Sequence, residues 1–118
     1  MHELGVIFYV IREVKEVAET NSIRKVYSVT LEIGEVSGVV HTQLIDCWKW
    51  AKKKEPIIKD ADLIITQVDA VTHCDDCGKD YPTVAHGKIC PHCSSKKTWL
   101  KIGQEFIIKE IKVYDQEQ

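Results

Sequence analysis

Cys74-Asp75-Asp76-Cys77 and Cys90-Pro91-His92-Cys93, twelve residues apart, decide how this chain is organised. Two thiolates three positions apart on a tight turn can converge on one cation, about 2.3 Å from each sulfur for zinc, and a second such turn completes a tetrahedron. The spacing is that of a zinc ribbon or double knuckle. Gly78 directly follows the first pair, where a knuckle needs a residue tolerant of positive φ, and Pro91 stiffens the second. Four sulfurs leave no vacant coordination position, so Cys74, Cys77, Cys90 and Cys93 are expected to hold a structural Zn2+ that fixes a shape and does no chemistry. Two disulfides and a thioredoxin-like redox pair are the rival readings. A redox pair would stand at the head of a helix in a βαβ setting, and these flanks read as loops.

The chain has 118 residues, room for one modest core plus a small metal-stapled lobe. Its hydrophobic fraction of 44% and charged fraction of 29% are ordinary for a soluble globular protein. A net charge of -2 argues against a protein that grips nucleic acid by its phosphates. No apolar run approaches the roughly 20 residues needed to cross a bilayer, so no membrane partner is expected. Glu3 and Glu13 stand where a signal peptide would not carry acids. Thiols in metal-ligand spacing fit the cytoplasm.

Outward from the cysteines, residues 4–19 carry Leu4, Ile7, Phe8, Ile11, Val14 and Ala18 at steps of three and four, which predicts an amphipathic helix with one buried stripe. Residues 25–33 alternate, with Tyr27, Val29, Leu31 and Ile33 on the inner side: a half-buried strand. A second helix is expected from Thr42 to Lys54, with Leu44, Ile45, Trp48 and Ala51 inward and Pro56 marking its stop. Strands follow at Leu63–Val68 and Glu105–Tyr114. The expected fold is α+β: a small three-stranded sheet with two helices on one face and a projecting zinc-ribbon-like lobe. The division is residues 1–70 plus 102–118 as an α/β domain, with 71–101 as a zinc-binding lobe inserted between the last two strands. Those two strands are expected to pair with each other, because an inserted hairpin keeps its ends close.

Met1-His2-Glu3 is a chelate in principle. A free amine, the His2 backbone nitrogen and the His2 imidazole can close fused five- and six-membered rings around one ion. The Glu3 amide nitrogen, or its carboxylate, supplies a fourth corner. Such a planar nitrogen set suits Ni(II) or Cu(II), and Cu(II) wins on raw affinity. A cation at a helix N-terminus opposes the helix dipole, but deprotonated backbone nitrogens cancel its charge. The plainer reading is a frayed terminus with Glu3 favourably placed at the helix start.

Taken together, the chain resembles the HypA/HybF family of nickel-insertion proteins that mature NiFe hydrogenases. The resemblance rests on Met1-His2-Glu3-Leu4, on Ile33-Gly34-Glu35-Val36-Ser37-Gly38, on the two Cys-x-x-Cys pairs, on Gly103-Gln104-Glu105-Phe106 and on Ile111-Lys112-Val113. It implies a non-enzymatic metallochaperone whose labile Ni2+ is held by His2 with the Met1 amine and Glu3 beside it, and whose structural Zn2+ is held by the four cysteines. It further implies delivery to a hydrogenase large subunit in concert with a HypB-type GTPase, and in some organisms a role in urease maturation. The oligomeric state stays open, a homodimer included. The chain departs from the family pattern at His41, at Cys47-Trp48-Lys49-Trp50, and at Ser94-Ser95, where Gly-Ser is commoner.

A rival from another class is a nucleic-acid-binding zinc ribbon, for which Lys79, Lys88, Lys96, Lys97 and Lys101 with Trp99 offer charge and one stacking surface. Asp75, Asp76 and Asp80 dilute it. Hydrolytic chemistry lacks parts, since no catalytic motif places a residue trio. Cys47 is expected as a small buried hydrophobe on the second helix. His73 and His92, beside the zinc cysteines, are expected as surface residues, with exchange onto the metal as the bolder alternative.

Overall fold

The computed structural model describes residues 2–114 and divides into two units. One unit gathers the chain up to Glu32, Val39–Thr66 and the residues from Ile107 on; the other is Ile33–Gly38 with Gln67–Phe106.

The first unit is built on α1 (Glu3–Thr20) and α2 (His41–Ala51), which pack on each other. α1 buries Glu3, Ile7, Val10, Ile11, Val14 and Ala18. Leu4 and Phe8, expected inside, are 38% and 51% exposed instead, and Val10 is fully buried. Apolar residues spread over more than half of this helix's circumference, so periodicity alone does not fix which edge of the band turns inward. Asn21 closes the helix, its Nδ2 donating to the Val17 carbonyl at 2.8 Å. α2 is shorter than the expected 42–54: its last lysines form a separate 3-10 turn, Lys52–Lys54. Leu44, Trp48 and Ala51 are buried, and the Trp48 indole N–H donates to the Ala61 carbonyl at 3.0 Å. That bond gives the one polar atom of a buried tryptophan its partner.

Three strands, β1 (Val26–Gly34), β2 (Asp62–Val68) and β6 (Phe106–Val113), form one sheet in the order β2-β1-β6. The expected pairing of the strands either side of the cysteine lobe is therefore wrong: both pair with β1. Burial explains the arrangement. Val26, Val29, Leu31 and Ile33 are all fully buried, while β2 and β6 contain no buried residue. The strand with the buried side chains takes the centre, flanked by a strand on each edge. Tyr27, expected inward, is half exposed and meets the Tyr114 ring edge-on at 5.4 Å.

The second unit has its own sheet, β4-β3-β5, from β3 (Val71–Cys74), β4 (Asp80–Pro82) and β5 (Thr98–Ile102), all pairings antiparallel, with the short helix α3 (Thr83–His86) after β4. The same unit holds a clasp of backbone and carboxylate bonds. Gly34 N–H donates to the Glu105 carbonyl at 2.8 Å, Glu35 N–H to Val68 at 2.8 Å and Val36 N–H to Gly103 at 2.9 Å. The Glu35 carboxylate accepts from Ala70 N–H at 2.8 Å, and the Glu105 carboxylate from Gly103 N–H at 2.6 Å. A methyl group on Gly34 would run into the Gly103 carbonyl, which is backbone and cannot swing aside. Gly34→Ala is therefore expected to cost about 3 kcal/mol by overpacking, read as a fall in the urea midpoint with unchanged slope.

Candidate metal centres

Two turns of the second unit bring the four cysteine sulfurs together, and they do it by the same local device. In the first, Gly78 N–H donates to the Cys74 carbonyl at 2.9 Å and Cys74 N–H to the Lys79 carbonyl at 3.0 Å. In the second, Ser94 N–H donates to Cys90 at 2.8 Å and Cys90 N–H to Ser95 at 3.0 Å. Both turns pass through the left-handed region immediately after the second cysteine, at Gly78 (φ 72°) and Ser94 (φ 63°). The result is a tetrad of ligand atoms within 4.8 Å of one another. Cys74 Sγ lies 3.6 Å from Cys93 Sγ, and Cys77 Sγ 3.7 Å from Cys90 Sγ. Zinc–sulfur bonds of about 2.3 Å at tetrahedral angles put neighbouring sulfurs about 3.8 Å apart, so the donor set fits Zn2+ in both chemistry and size. The thiols are free, which removes the disulfide reading.

Without an ion the sulfurs crowd one another. Burial pushes the Cys90 thiol up, but N–H groups of His92 and Cys93 and the neighbouring thiols outweigh it and bring it down to about 7. At Cys93 the Ser95 N–H draws the value down, yet burial and three neighbouring sulfurs lift it to about 12. Such a cluster shares its protons until a cation displaces them.

The shell around the tetrad is tied to itself. His73 Nδ1 lies 2.7 Å from the Asp80 carboxylate, its Nε2 3.8 Å from Asp75, and its ring 5.3 Å from that of Trp99. Trp99 donates its indole N–H to Asp75 at 3.0 Å, and Lys101 pairs with Asp80 at 2.8 Å. A bound His73 ring stands against exchange onto the metal. The same bonds commit Trp99 and Lys101 to the lobe, which weakens the nucleic-acid reading.

At the other candidate centre, His2 caps α1 from an extended conformation and is exposed, its carbonyl accepting from Val6 N–H at 3.1 Å. Met1, and with it the expected amine ligand, lies outside the described residues. Glu3 is 8% exposed, and its carboxylate accepts from Val40 N–H, the residue that precedes α2, at 3.4 Å. His2 with Glu3 and Leu4 of α1, and Gln43, Asp46 and Cys47 of α2, line a recess of about 350 Å³.

The family model for hydrogenase/urease nickel incorporation, metallochaperone HypA, matches residues 1–113. The chain belongs to the HypA family. It is 34% identical over 113 residues to the hydrogenase maturation factor HypA of Chlorobium phaeobacteroides (strain BS1), covering 96% of this chain and 99% of that one. It is 28% identical over 111 residues to the hydrogenase maturation factor HybF of Morganella morganii, covering 94% and 97%. Its fold is similar to the solution structure of the Ni metallochaperone HypA from Helicobacter pylori, at a TM-score of 0.70 and 25% identity over 96% of this chain and 97% of that one. No helix among the described residues is long and apolar enough to cross a membrane.

Cys47 is a correction: expected as a buried hydrophobe, it is only half-buried and lines the recess beside His2. The helical step from Gln43 to Asp46 and Cys47 is readable in the sequence. That this face looks toward the chain start is not, because it depends on how the two helices pack.

Two outcomes follow from the tetrad. Stripping zinc with a chelator should abolish the near-ultraviolet dichroism of Trp99 and Tyr81, since the lobe's own buried cluster is only Cys74, Tyr81 and Cys90. Ser94→Gly should stabilise the second turn by about 0.5–1 kcal/mol, because relief of a roughly 1–2 kcal/mol left-handed strain exceeds glycine's entropic cost of about 0.5–1 kcal/mol. Thermal unfolding of the zinc-loaded protein checks the sign.

Proposed function

We propose that this chain is a nickel metallochaperone that carries Ni(II) to a NiFe hydrogenase large subunit in the cytoplasm, working with a HypB-type GTPase. The observation that carries the reading is an exposed His2 at the head of α1, beside a recess, in a chain matched over residues 1–113 by a family model of nickel incorporation. The amine of Met1, the His2 amide and the His2 imidazole grip the ion, with Glu3 beside them. Residues 1–70 and 102–118 then serve nickel, and 71–101 serve zinc through Cys74, Cys77, Cys90 and Cys93.

The chemistry follows from the two donor sets. Four thiolates enclose a cation on all sides and keep it. Nitrogens at an exposed terminus leave one side open, so an incoming donor can displace them one at a time. That is what a carrier needs and a scaffold does not.

Binding at the terminus displaces protons from the amine, the imidazole and an amide, so nickel affinity should fall as the pH drops below neutrality. His2→Ala, or a residue tag added ahead of Met1, should abolish nickel uptake while the zinc content stays at one per chain. Isothermal titration with Ni(II), alongside metal analysis, checks both. Undiminished nickel binding by the tagged protein would falsify the assignment.

A further inference from the structure

The two cysteine turns are not independent of each other. The first leads off β3 and the second leads into β5, and Cys74 stands opposite Thr98 in the register that pairs those strands. Beyond that pairing, the turns themselves are joined. The Ser95 hydroxyl, at the end of the second turn, donates to the carboxylate of Asp76, inside the first. Asp75 N–H donates to the Lys97 carbonyl at 2.9 Å, and Lys97 N–H donates to Ser95 Oγ at 3.0 Å. Both residues between Cys74 and Cys77 are thus tied to the segment that follows Cys93, the Asp75 carboxylate also taking the Trp99 indole N–H at 3.0 Å. Carboxylates beside four thiolates add negative charge to negative charge, and donors of this kind offset it.

This cross-link bears on which ion the sulfurs accept. Raw affinity separates neighbouring divalent metals poorly, whereas geometry separates them well. In a tetrahedral four-sulfur site, the plane through the ion and one Cys-x-x-Cys pair lies perpendicular to the plane through the other pair. Planar coordination, which suits Ni(II), needs the two planes to coincide. One turn would then have to swing against the other. The pairing of β3 with β5 opposes that swing where the strands meet the turns, and the bond between Ser95 and Asp76 opposes it at the turns themselves.

We propose that the Ser95–Asp76 hydrogen bond is a cross-brace that denies the four-cysteine site to Ni(II), by keeping the two turns from swinging into one plane. Ser95 and Asp76 are positioning residues: neither is a ligand, and both act through the angle between the sulfur pairs. A chain that meets Ni(II) and also presents four thiolates otherwise has a second place for nickel to lodge. The inference concerns the cysteine lobe alone and stands whether or not His2 carries nickel.

The test titrates Zn(II), Co(II) and Ni(II) into the zinc-free, reduced full chain carrying His2→Ala, which removes the terminal imidazole. That braced chain is compared with the same chain carrying Ser95→Ala, Asp76→Ala, Ser95→Thr or Asp76→Asn. In the braced chain Co(II) gives the absorption bands of a tetrahedral thiolate site, and Ni(II) gives no planar, low-spin spectrum. Either alanine variant raises the affinity for Ni(II) relative to Zn(II) by about fivefold or more, the worth of one hydrogen bond, and the nickel spectrum becomes planar. Threonine at 95 keeps the hydroxyl donor and asparagine at 76 keeps an oxygen acceptor, so both behave as the braced chain does. A bond that only stabilised the lobe would lower all three affinities together. That outcome, or an unchanged ratio of nickel to zinc affinity, overturns the inference. So does planar nickel on the four sulfurs of the braced chain, a result that does not depend on any brace variant folding.

Discussion

Convergence of four sulfurs on a point is the constraint that gives the second unit its form. Its buried cluster of Cys74, Tyr81 and Cys90, with Cys77 against it, is too small to hold three short strands by apolar burial alone. A buried side chain of this kind contributes about 1.5–3 kcal/mol, whereas structural zinc in finger peptides contributes about 10–16 kcal/mol. A zinc ion held by the tetrad would therefore stand where a core stands in a larger domain. The matched turns at Cys74–Lys79 and Cys90–Ser95 are what aim the sulfurs, and the hydrogen bonds of His73, Asp75, Asp80, Trp99 and Lys101 brace the strands that carry them.

The first unit is stabilised differently. A central strand with four fully buried aliphatic residues, one helix stripe from Ile7 to Ala18, and Trp48 anchored to Ala61 make an ordinary apolar core. Such a core leaves the start of α1 free to be exposed, since nothing in the packing requires His2. One unit has a sulfur tetrad where a core would be. The other is packed around an apolar core.

Much of this was legible from the residues. The cysteine spacing, with Gly78 after the first pair, gave the tetrad because a knuckle is a local object set by a few dihedral angles. Element order was legible for the same reason: periodicity and Pro56 are local signals. What failed was whatever depended on long-range packing. The inward edge of α1, the outward turn of Tyr27 and the pairing of β2 and β6 with β1 are settled by neighbours far away in sequence. The lysine run at the end of α2 reads as helix up to the stop at Pro56, yet residues 52–54 tighten into a 3-10 turn before it. At the start of α1, His2 and Glu3 could be singled out from their order alone. That Cys47 lines the recess beside them could not, because it depends on the angle at which two helices meet.

The α2 helix has no side-chain cap of its own: Val40 precedes it, and the Val40 N–H donates to the Glu3 carboxylate, contributed by α1. The beginning of one helix is thus guyed to the beginning of the other. A variant at position 3 would loosen that guy rope whether or not any metal were present. Loss of cargo in such a variant would report slack in the scaffold, and only substitutions that spare the tether can speak about ligation.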